Sequence, residues 1–233
     1  MSKRLKTSQR ILDASRQLFN NKGYAATTLA EIAAAVGIAQ GNLTYHFPTK
    51  RDLALRLEEE AQQSMQLRWD SPRSNAVADD YVDHLLFGMH LTFHNRFLLR
   101  DHAQFADDSK GLREHPYLKA DFEELQMLLR RVGREGNFRR DLQVDLEVLA
   151  RSLWITSRYW MDHLEELEGV ERITWADLER GVQHHFALLL PCLVASARRE
   201  FEAAFHRAMQ YVRGFDQELA AADIAILQKR IAS

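Results

Sequence analysis

Apolar residues recur at helical spacing along almost the whole of this 233-residue chain, and that pattern limits the fold more than any other feature. Proline occurs only four times, and no segment shows the sustained alternation of Val, Ile and Thr that is typical of strands. The sequence therefore predicts an all-α fold. The longest apolar run, Phe186 to Ala195, is shorter than a membrane span and contains Pro191, so no transmembrane helix is expected.

Capping and turn signals divide the N-terminal part of the chain into short helices. Thr28, followed three residues later by Glu31, forms a capping-box pattern that opens a short helix, and Gly37 ends it. A third helix is expected at about 39–47 and a fourth at about 50–69. Two short helices joined by a glycine-containing turn are typical of a helix-turn-helix, whose second helix lies in the major groove of DNA.

The third helix is predicted to have an apolar face and a polar face. At 100° per residue, a core-facing Leu43 places Ala39 and Phe47 on nearly the same side. The outward set consists of Gly41 and Tyr45, flanked by Asn42 and Thr44, with Gln40 at the N-terminal end. A helix that faces only solvent usually carries Glu, Lys and Arg, so this uncharged polar face indicates contact with base edges.

Charge is distributed unevenly along the chain. Residues 1–56 carry nine Lys and Arg and three acidic residues, which gives them a net charge of +6. Because the whole chain has a net charge of −2, the remaining residues have a net charge of −8. A basic segment followed by an acidic body suggests that the basic segment binds a polyanion such as nucleic acid. The alternative is an uneven surface charge without a partner.

One series of N-terminal residues keeps a specific order and spacing. It comprises Arg10 to Ala14, Leu18, Phe19, Gly23, Tyr24, Thr27, Thr28, Ile32, Ala33, Gly37, Ile38, Gly41 to Phe47, Lys50 and Leu53. This series resembles the DNA-binding domain of the tetracycline-repressor (TetR) family. That family usually has tyrosine where this chain has Thr44, and here the tyrosine is the next residue, Tyr45.

The resemblance implies a division of the chain and a function. Residues 1–50 would form a three-helix helix-turn-helix domain, joined by the helix at about 50–69 to a larger helical ligand-binding and dimerisation domain, residues 51–233. The implied function is that of a transcriptional regulator, commonly a repressor. It would bind double-stranded, palindromic operator DNA as a homodimer and be released by a small-molecule effector.

The resemblance also implies which side chains meet DNA. The residues expected at bases are Gln40, Gly41, Asn42 and Thr44, and those expected at phosphates are Thr28, Tyr45, His46 and Lys50. Thr28 would act with the free N–H groups at the start of its helix. Two alternatives stay open, because His46 could only cap its own helix and Lys50 could be a solvated first residue of the fourth helix.

The rest of the chain is expected to hold the effector. Its periodicity predicts helices at about 76–96, 97–106, 117–135, 145–168, 174–213 and 216–231, and Pro191 should kink or divide the helix at 174–213. Aromatic side chains near polar ones predict an apolar cavity with a few polar groups, as a small-molecule site requires. The residues expected to line it are Phe93, Phe97, Phe105, Trp154 and Arg158. The alternative is that the aromatic residues are ordinary core.

The dimer is expected to use the helices predicted at 145–168 and 174–199, two from each subunit, in a four-helix bundle. One apolar face comprises Leu146, Leu149, Leu153, Trp160 and Leu164, and another comprises Phe186, Leu189, Leu193 and Ala197. The pattern does not separate the face that meets the partner from the face that meets the protein's own core.

No metal, cofactor or catalytic site is expected. His90 and His94 are four residues apart, but neither a cysteine nor a suitably spaced carboxylate completes a metal site. The motifs of phosphate-binding loops, nucleophile elbows and zinc proteases are missing, which argues against an enzyme. The single cysteine, Cys192, indicates a reducing compartment, and a cytoplasmic protein is expected. A helical ligand-binding enzyme and a dimeric adaptor without DNA binding remain as alternatives.

Overall fold

The computed structural model describes residues 3–105, 116–171 and 173–215. In these ranges the regular structure is helical, apart from one isolated antiparallel bridge between Phe138 and Leu193. The helices are α1 (Lys3–Lys22), α2 (Leu29–Val36), α3 (Gln40–His46), α4 (Lys50–Trp69), α5 (Val77–His94), α6 (Arg96–Arg100), α7 (Pro116–Arg134), α8 (Leu146–Arg158), α9 (Trp160–Glu166), α10 (Trp175–Leu189) and α11 (Ala195–Phe215). The predicted all-α fold is confirmed, and the helix predicted at 216–231 lies outside the described residues.

Two of the long helices that the sequence predicts are interrupted. The one predicted at 145–168 is divided between α8 and α9 at Tyr159, where φ is −101° and ψ is 10°. The one predicted at 174–213 is divided by a single 3-10 turn, Leu190–Cys192. Pro191 accounts for this second break, because proline has no backbone N–H to donate to the preceding turn.

The described chain forms two compact units. The first unit contains residues 3–69 and 91–105, and therefore α1 to α4, the last turn of α5, and α6. Its fully buried apolar side chains include Ile11, Phe19, Ile32, Leu43, Leu53, Leu57 and Phe97. Because the helix-turn-helix is short, most of these residues come from α1 and α4, which pack against each other, and α1 also packs against α2.

The second unit contains residues 70–90, 116–171 and 173–215. Both apolar faces that the sequence predicts on its long helices contribute to its core, and the buried members are Leu153, Trp160, Leu164, Phe186, Leu189, Leu193 and Ala197. The two faces therefore pack inside the protomer, and a partner would have to meet the opposite sides of α8 and α10.

Candidate nucleic-acid interface

A reciprocal capping box fixes the start of α2. The Thr28 hydroxyl accepts the Glu31 N–H, and the Glu31 carboxylate accepts both the N–H and the hydroxyl of Thr28 at 2.9 Å. Lys22 also donates to this carboxylate, and that hydrogen bond is the largest reason why the pKa of Glu31 is lowered to about 2. The Thr28 amide is therefore occupied by Glu31, and the first turn offers the amides of Leu29 and Ala30 to an anion instead.

The turn between α2 and α3 is closed by its own backbone and by α1. Gly37 adopts a φ of 73° and a ψ of 39°, the left-handed conformation in which glycine is favoured. The Ile38 N–H donates to the Ala33 carbonyl at 3.0 Å. The Arg10 guanidinium donates to the Val36 carbonyl at 2.6 Å, so a side chain of α1 provides a hydrogen-bond donor for a backbone carbonyl at the end of α2. These contacts fix the direction in which α3 leaves the turn.

Helix α3 has the two predicted faces. Leu43 is completely buried, whereas Tyr45 is 68% exposed. Among the other predicted DNA contacts, Gln40, Gly41 and Asn42 are exposed, and Thr44 and His46 are half-buried. Open space surrounds the position that a Gly41 side chain would occupy, which lets another molecule approach the backbone there. Ala39 is exposed, contrary to the prediction, because it is the extended N-cap residue and helical angles do not apply to it.

Lys50 is bound inside the protein rather than solvated. Its ammonium donates to the backbone carbonyls of Tyr24, Ala25 and Thr27 at 2.7, 3.2 and 2.9 Å, and lies 4.4 Å from the centre of the Tyr24 ring. Three acceptors match the three N–H groups of an ammonium. The partial burial lowers the pKa of Lys50. These contacts do not test the predicted contact of Lys50 with a phosphate, and they favour a role for its ammonium within the protein.

A segment distant in sequence completes the first unit, and the sequence patterns did not identify it. Asn20, near the end of α1, donates to the His94 carbonyl at 2.7 Å and accepts the Phe97 N–H at 3.2 Å. The buried carboxylate of Asp101 accepts the Tyr24 N–H at 2.8 Å. The helix-turn-helix is therefore supported by residues 94–101 as well as by its own helices.

Comparison with known families agrees with this geometry. Residues 11–57 match the bacterial regulatory proteins of the tetR family, and residues 56–201 match a family described as bacterial transcriptional repressor. The two matches together span most of the chain.

The chain belongs to the TetR family.

Other TetR-family proteins resemble it to different extents. The regulator AcrR of Shigella flexneri is 45% identical over 47 residues, which is 20% of this chain and 22% of that protein's length. The repressor KstR2 of Mycolicibacterium smegmatis is 28% identical over 166 residues, 64% of this chain and 77% of that protein. The Streptomyces coelicolor protein CprB, solved in complex with its biological operator sequence, has a TM-score of 0.63 and 23% identity, covering 90% of this chain and 100% of that one. At that identity the structural likeness concerns the fold alone.

The five residues predicted to line an effector cavity are divided between the two units of this TetR-family chain. Phe93, Phe97 and Phe105 belong to the first unit, whereas Trp154 and Arg158 belong to the second. The structure therefore does not bring the five together within one unit.

Phe97 and Phe105 pack in an aromatic core rather than on a cavity wall. Their ring centroids are 6.0 Å apart, Phe97 lies 5.0 Å from Phe19, and Phe105 lies 5.2 Å from Tyr24. Both side chains are buried. Their apolar surface thus stabilises the DNA-binding unit. Phe93 is half-buried.

Trp154 and Arg158 lie on α8, near a polar cluster of the second unit. The Trp154 indole donates to Asp121 at 3.1 Å. His84 lies between two carboxylates, 3.8 Å from that of Asp121 and 3.2 Å from that of Glu124. Nε of Arg158 is buried and has no hydrogen-bond partner in the described ranges. A buried donor of this kind is costly unless something else accepts from it.

A metal site, a membrane-spanning helix and a reactive thiol each have requirements with which the described ranges can be compared. They contain no group of three or more His, Cys, Asp or Glu residues that could hold a metal ion. None of their helices combines the length and the apolar character needed to cross a bilayer. Burial raises the pKa of the Cys192 thiol, which disfavours the reactive thiolate.

Proposed function

We propose that this protein is a cytoplasmic repressor that binds a palindromic operator as a homodimer, and that a small-molecule effector releases it. The proposal assigns DNA contact to residues 1–50, and effector binding and dimerisation to residues 51–233. It rests mainly on α3, where a buried Leu43 anchors a helix whose opposite face is exposed, polar and uncharged. Such a face can exchange hydrogen bonds with base edges in the major groove.

The proposed DNA contacts follow from the positions of the exposed groups. Base contacts are assigned to Gln40, Gly41, Asn42 and Thr44, and phosphate contacts to Thr28, Tyr45 and His46. The exposed Gln40 stands at the N-terminal end of α3, the part of a recognition helix that usually meets the bases. Tyr45 carries its hydroxyl on a side chain that is 68% exposed, which suits a phosphate contact.

An apolar surface of the second unit supports the homodimer. Val148 and Ile155 on α8 are 59% and 52% exposed, Tyr159 directly after α8 is 51% exposed, and Leu188 on α10 is 41% exposed. Val148 and Ile155 are seven residues apart, which places them on one side of α8, and Tyr159 follows four residues after Ile155. In a two-fold dimer the same surface of each copy meets the other and removes these side chains from water. Two copies would also supply two α3 helices for half-sites about 34 Å apart.

We assign the effector to the second unit, in contact with Trp154 and Arg158. Arg158 supports this because its buried Nε lacks an acceptor in the described ranges. Trp154 supports it because a half-buried indole combines a large apolar surface with a polar group. A compound found to bind should therefore lose affinity when Arg158 is replaced by Lys, which has no Nε and no planar fork.

Operator selection tests the proposal directly. Duplexes selected from a random-sequence pool by the purified protein should contain an inverted repeat whose half-site centres lie about one helical turn apart. Footprinting should show both halves protected. Selection of no DNA, or of a single half-site only, would contradict the proposal.

Sedimentation tests the dimer with a matched pair of variants. Ile155→Asp places a charge in the proposed interface and should convert the dimer into monomer and weaken operator binding. Leu167→Asp changes an apolar side chain that is 75% exposed and lies after α9, outside that surface, and should leave the dimer intact. Equal behaviour of the two variants would contradict the assigned interface.

A further inference from the structure

The loop between α1 and α2, residues 23–28, is held by charged side chains from two other parts of the sequence. Lys50, the first residue of α4, donates hydrogen bonds to three backbone carbonyls of this loop. Asp101, in the segment after α6, binds the Tyr24 N–H. The N–H and the carbonyl of Tyr24 are thus bound by opposite charges, one on each side.

Both charged groups are partly or wholly removed from water. Asp101 is buried and Lys50 is half-buried. Charge-assisted hydrogen bonds are stronger than neutral ones, and a less polar environment strengthens them further. Arg100 also lies 3.2 Å from the Asp101 carboxylate and donates to the Phe19 carbonyl at 2.8 Å, which keeps the carboxylate beside the end of α1. The loop backbone therefore has one strongly preferred position.

The loop leads directly into the part of α2 that faces DNA in the proposed function. Thr28 is the N-cap of α2, and the amides of Leu29 and Ala30 follow it. A hydrogen bond to a phosphate depends steeply on distance and angle. A shift of the loop would therefore move these donors away from a phosphate even if α3 stayed in the groove.

We propose that Lys50 and Asp101 are positioning residues for DNA binding. They hold the backbone on either side of Tyr24 and so fix the first turn of α2 opposite a phosphate. Lys50 raises DNA affinity through the protein's own backbone, without itself touching DNA. This inference rests on the proposed function, because it needs the start of α2 to face the operator.

Coupling between the two residues tests the proposal. Affinity for the selected operator is measured by fluorescence anisotropy for Lys50→Met, Asp101→Ala and the double variant, each first shown to be folded by circular dichroism. Each single change should weaken binding on the order of tenfold, because each removes the charge-assisted hydrogen bonding on one side of the loop backbone. The affinity of the double variant should be hardly lower than that of the single variant with the lower affinity, because both changes release the same loop.

Two further variants serve as controls. Asp101→Asn keeps an oxygen that can accept the Tyr24 N–H but lacks the charge, and it should weaken binding clearly less than Asp101→Ala does. Arg56→Met also removes one positive charge from α4. Within the described ranges Arg56 forms ion pairs with Glu59 and Glu60, and this variant should bind nearly normally. Losses that multiply in the Lys50 and Asp101 double variant, or a loss in Asp101→Asn equal to that in Asp101→Ala, would overturn the proposal.

A measurement on the wild-type protein avoids any dependence on variant folding. The ¹⁵N signal of the Lys50 ammonium should keep its hydrogen-bonded character when the operator duplex is added. A coupling between this nitrogen and a phosphorus of the duplex would show a direct phosphate contact and overturn the proposal. If the wild type selects no duplex at all, the proposed function fails. If it binds an operator and Lys50 couples to phosphorus, only the positioning role fails.

Discussion

The hydroxyl oxygen of Tyr81 lies 2.8 Å from Nε2 of His185, and both side chains are almost completely buried in the second unit. Nδ1 of His185 lies 2.7 Å from the Ser157 hydroxyl oxygen, whose hydrogen is directed to the Leu153 carbonyl at 3.1 Å. Nδ1–H therefore donates to Ser157, and Tyr81 donates to Nε2. This arrangement requires a neutral imidazole and a protonated phenol.

Acid should destabilise the protein through His185. Burial lowers the pKa of His185 from 6.5 to about 3 in the folded protein. Between those values the unfolded chain binds a proton that the folded protein does not, so stability falls as the pH falls from about 6.5 towards 3. One pKa unit corresponds to about 1.4 kcal/mol, so the loss is on the order of a few kcal/mol. Urea unfolding at pH 7, 6, 5 and 4 measures it, and His185→Gln should flatten the dependence. Parallel curves for the two proteins would exclude His185 as the cause.

Removing the Tyr81 hydroxyl should cost stability because it leaves Nε2 of His185 without a donor. Tyr81→Phe is expected to lower the free energy of unfolding by about 1–3 kcal/mol, the usual cost of an unsatisfied buried polar group. Tyr45→Phe deletes the hydroxyl oxygen of an exposed tyrosine and should change the free energy of unfolding by less than about 0.5 kcal/mol. Chemical denaturation of both variants provides the comparison, and similar small effects would contradict the assigned hydrogen bond.

Two helical glycines should respond in opposite ways to alanine. A Cβ atom at Gly181 would lie 2.5 Å from the Trp160 ring and 2.7 Å from the end of Met89, so Gly181→Ala should cost about 1–3 kcal/mol through overpacking. A Cβ atom at Gly133 would make only ordinary contacts, the nearest at 3.6 Å from the Phe138 ring. Gly133→Ala should therefore stabilise α7 by up to about 1 kcal/mol. Thermal unfolding of both variants measures these changes in stability. A Gly181→Ala protein as stable as the wild type would show that the packing around Gly181 is not tight.

Sequence preference should depend on Gln40. A glutamine can form two hydrogen bonds with an adenine edge, which are worth about 1–3 kcal/mol of discrimination. Gln40→Ala should therefore weaken binding to the selected operator and reduce the difference between that operator and a duplex altered at one base pair. Gln63→Ala, an exposed glutamine on α4, should leave both affinities unchanged. Gel-shift titrations with the two duplexes measure the difference, and an unchanged ratio in Gln40→Ala would remove Gln40 from the base contacts.

Local chemistry made part of this structure predictable. The capping box of Thr28 and Glu31 and the left-handed Gly37 involve residues close together in the chain, so their sequence signals suffice. The outward face of α3 was also predictable, because helical geometry fixes it once Leu43 is inside. The break at Tyr159 was not, since neither proline nor glycine marks it.

Contacts between distant parts of the chain were beyond the reach of the sequence pattern. Asp101 and Tyr24 are 77 positions apart, and nothing in either local sequence indicates their hydrogen bond. For the same reason Phe97 and Phe105 looked like candidates for an effector cavity. Aromatic residues on amphipathic helices suit a cavity wall or a core equally well, and only the rings that surround them distinguish the two.

The first unit is assembled from two stretches of sequence, residues 3–69 and 91–105 in the described chain. A fragment cut after residue 69 would lack the hydrogen-bond partners of Asn20 and Tyr24. A chimera that joins only residues 3–69 to the second unit of another protein would lack them too. An exchange of DNA specificity between this protein and a relative with the same arrangement thus requires the transfer of both stretches of sequence rather than one. Short-range substitution within α3 is the less disruptive route to a new operator.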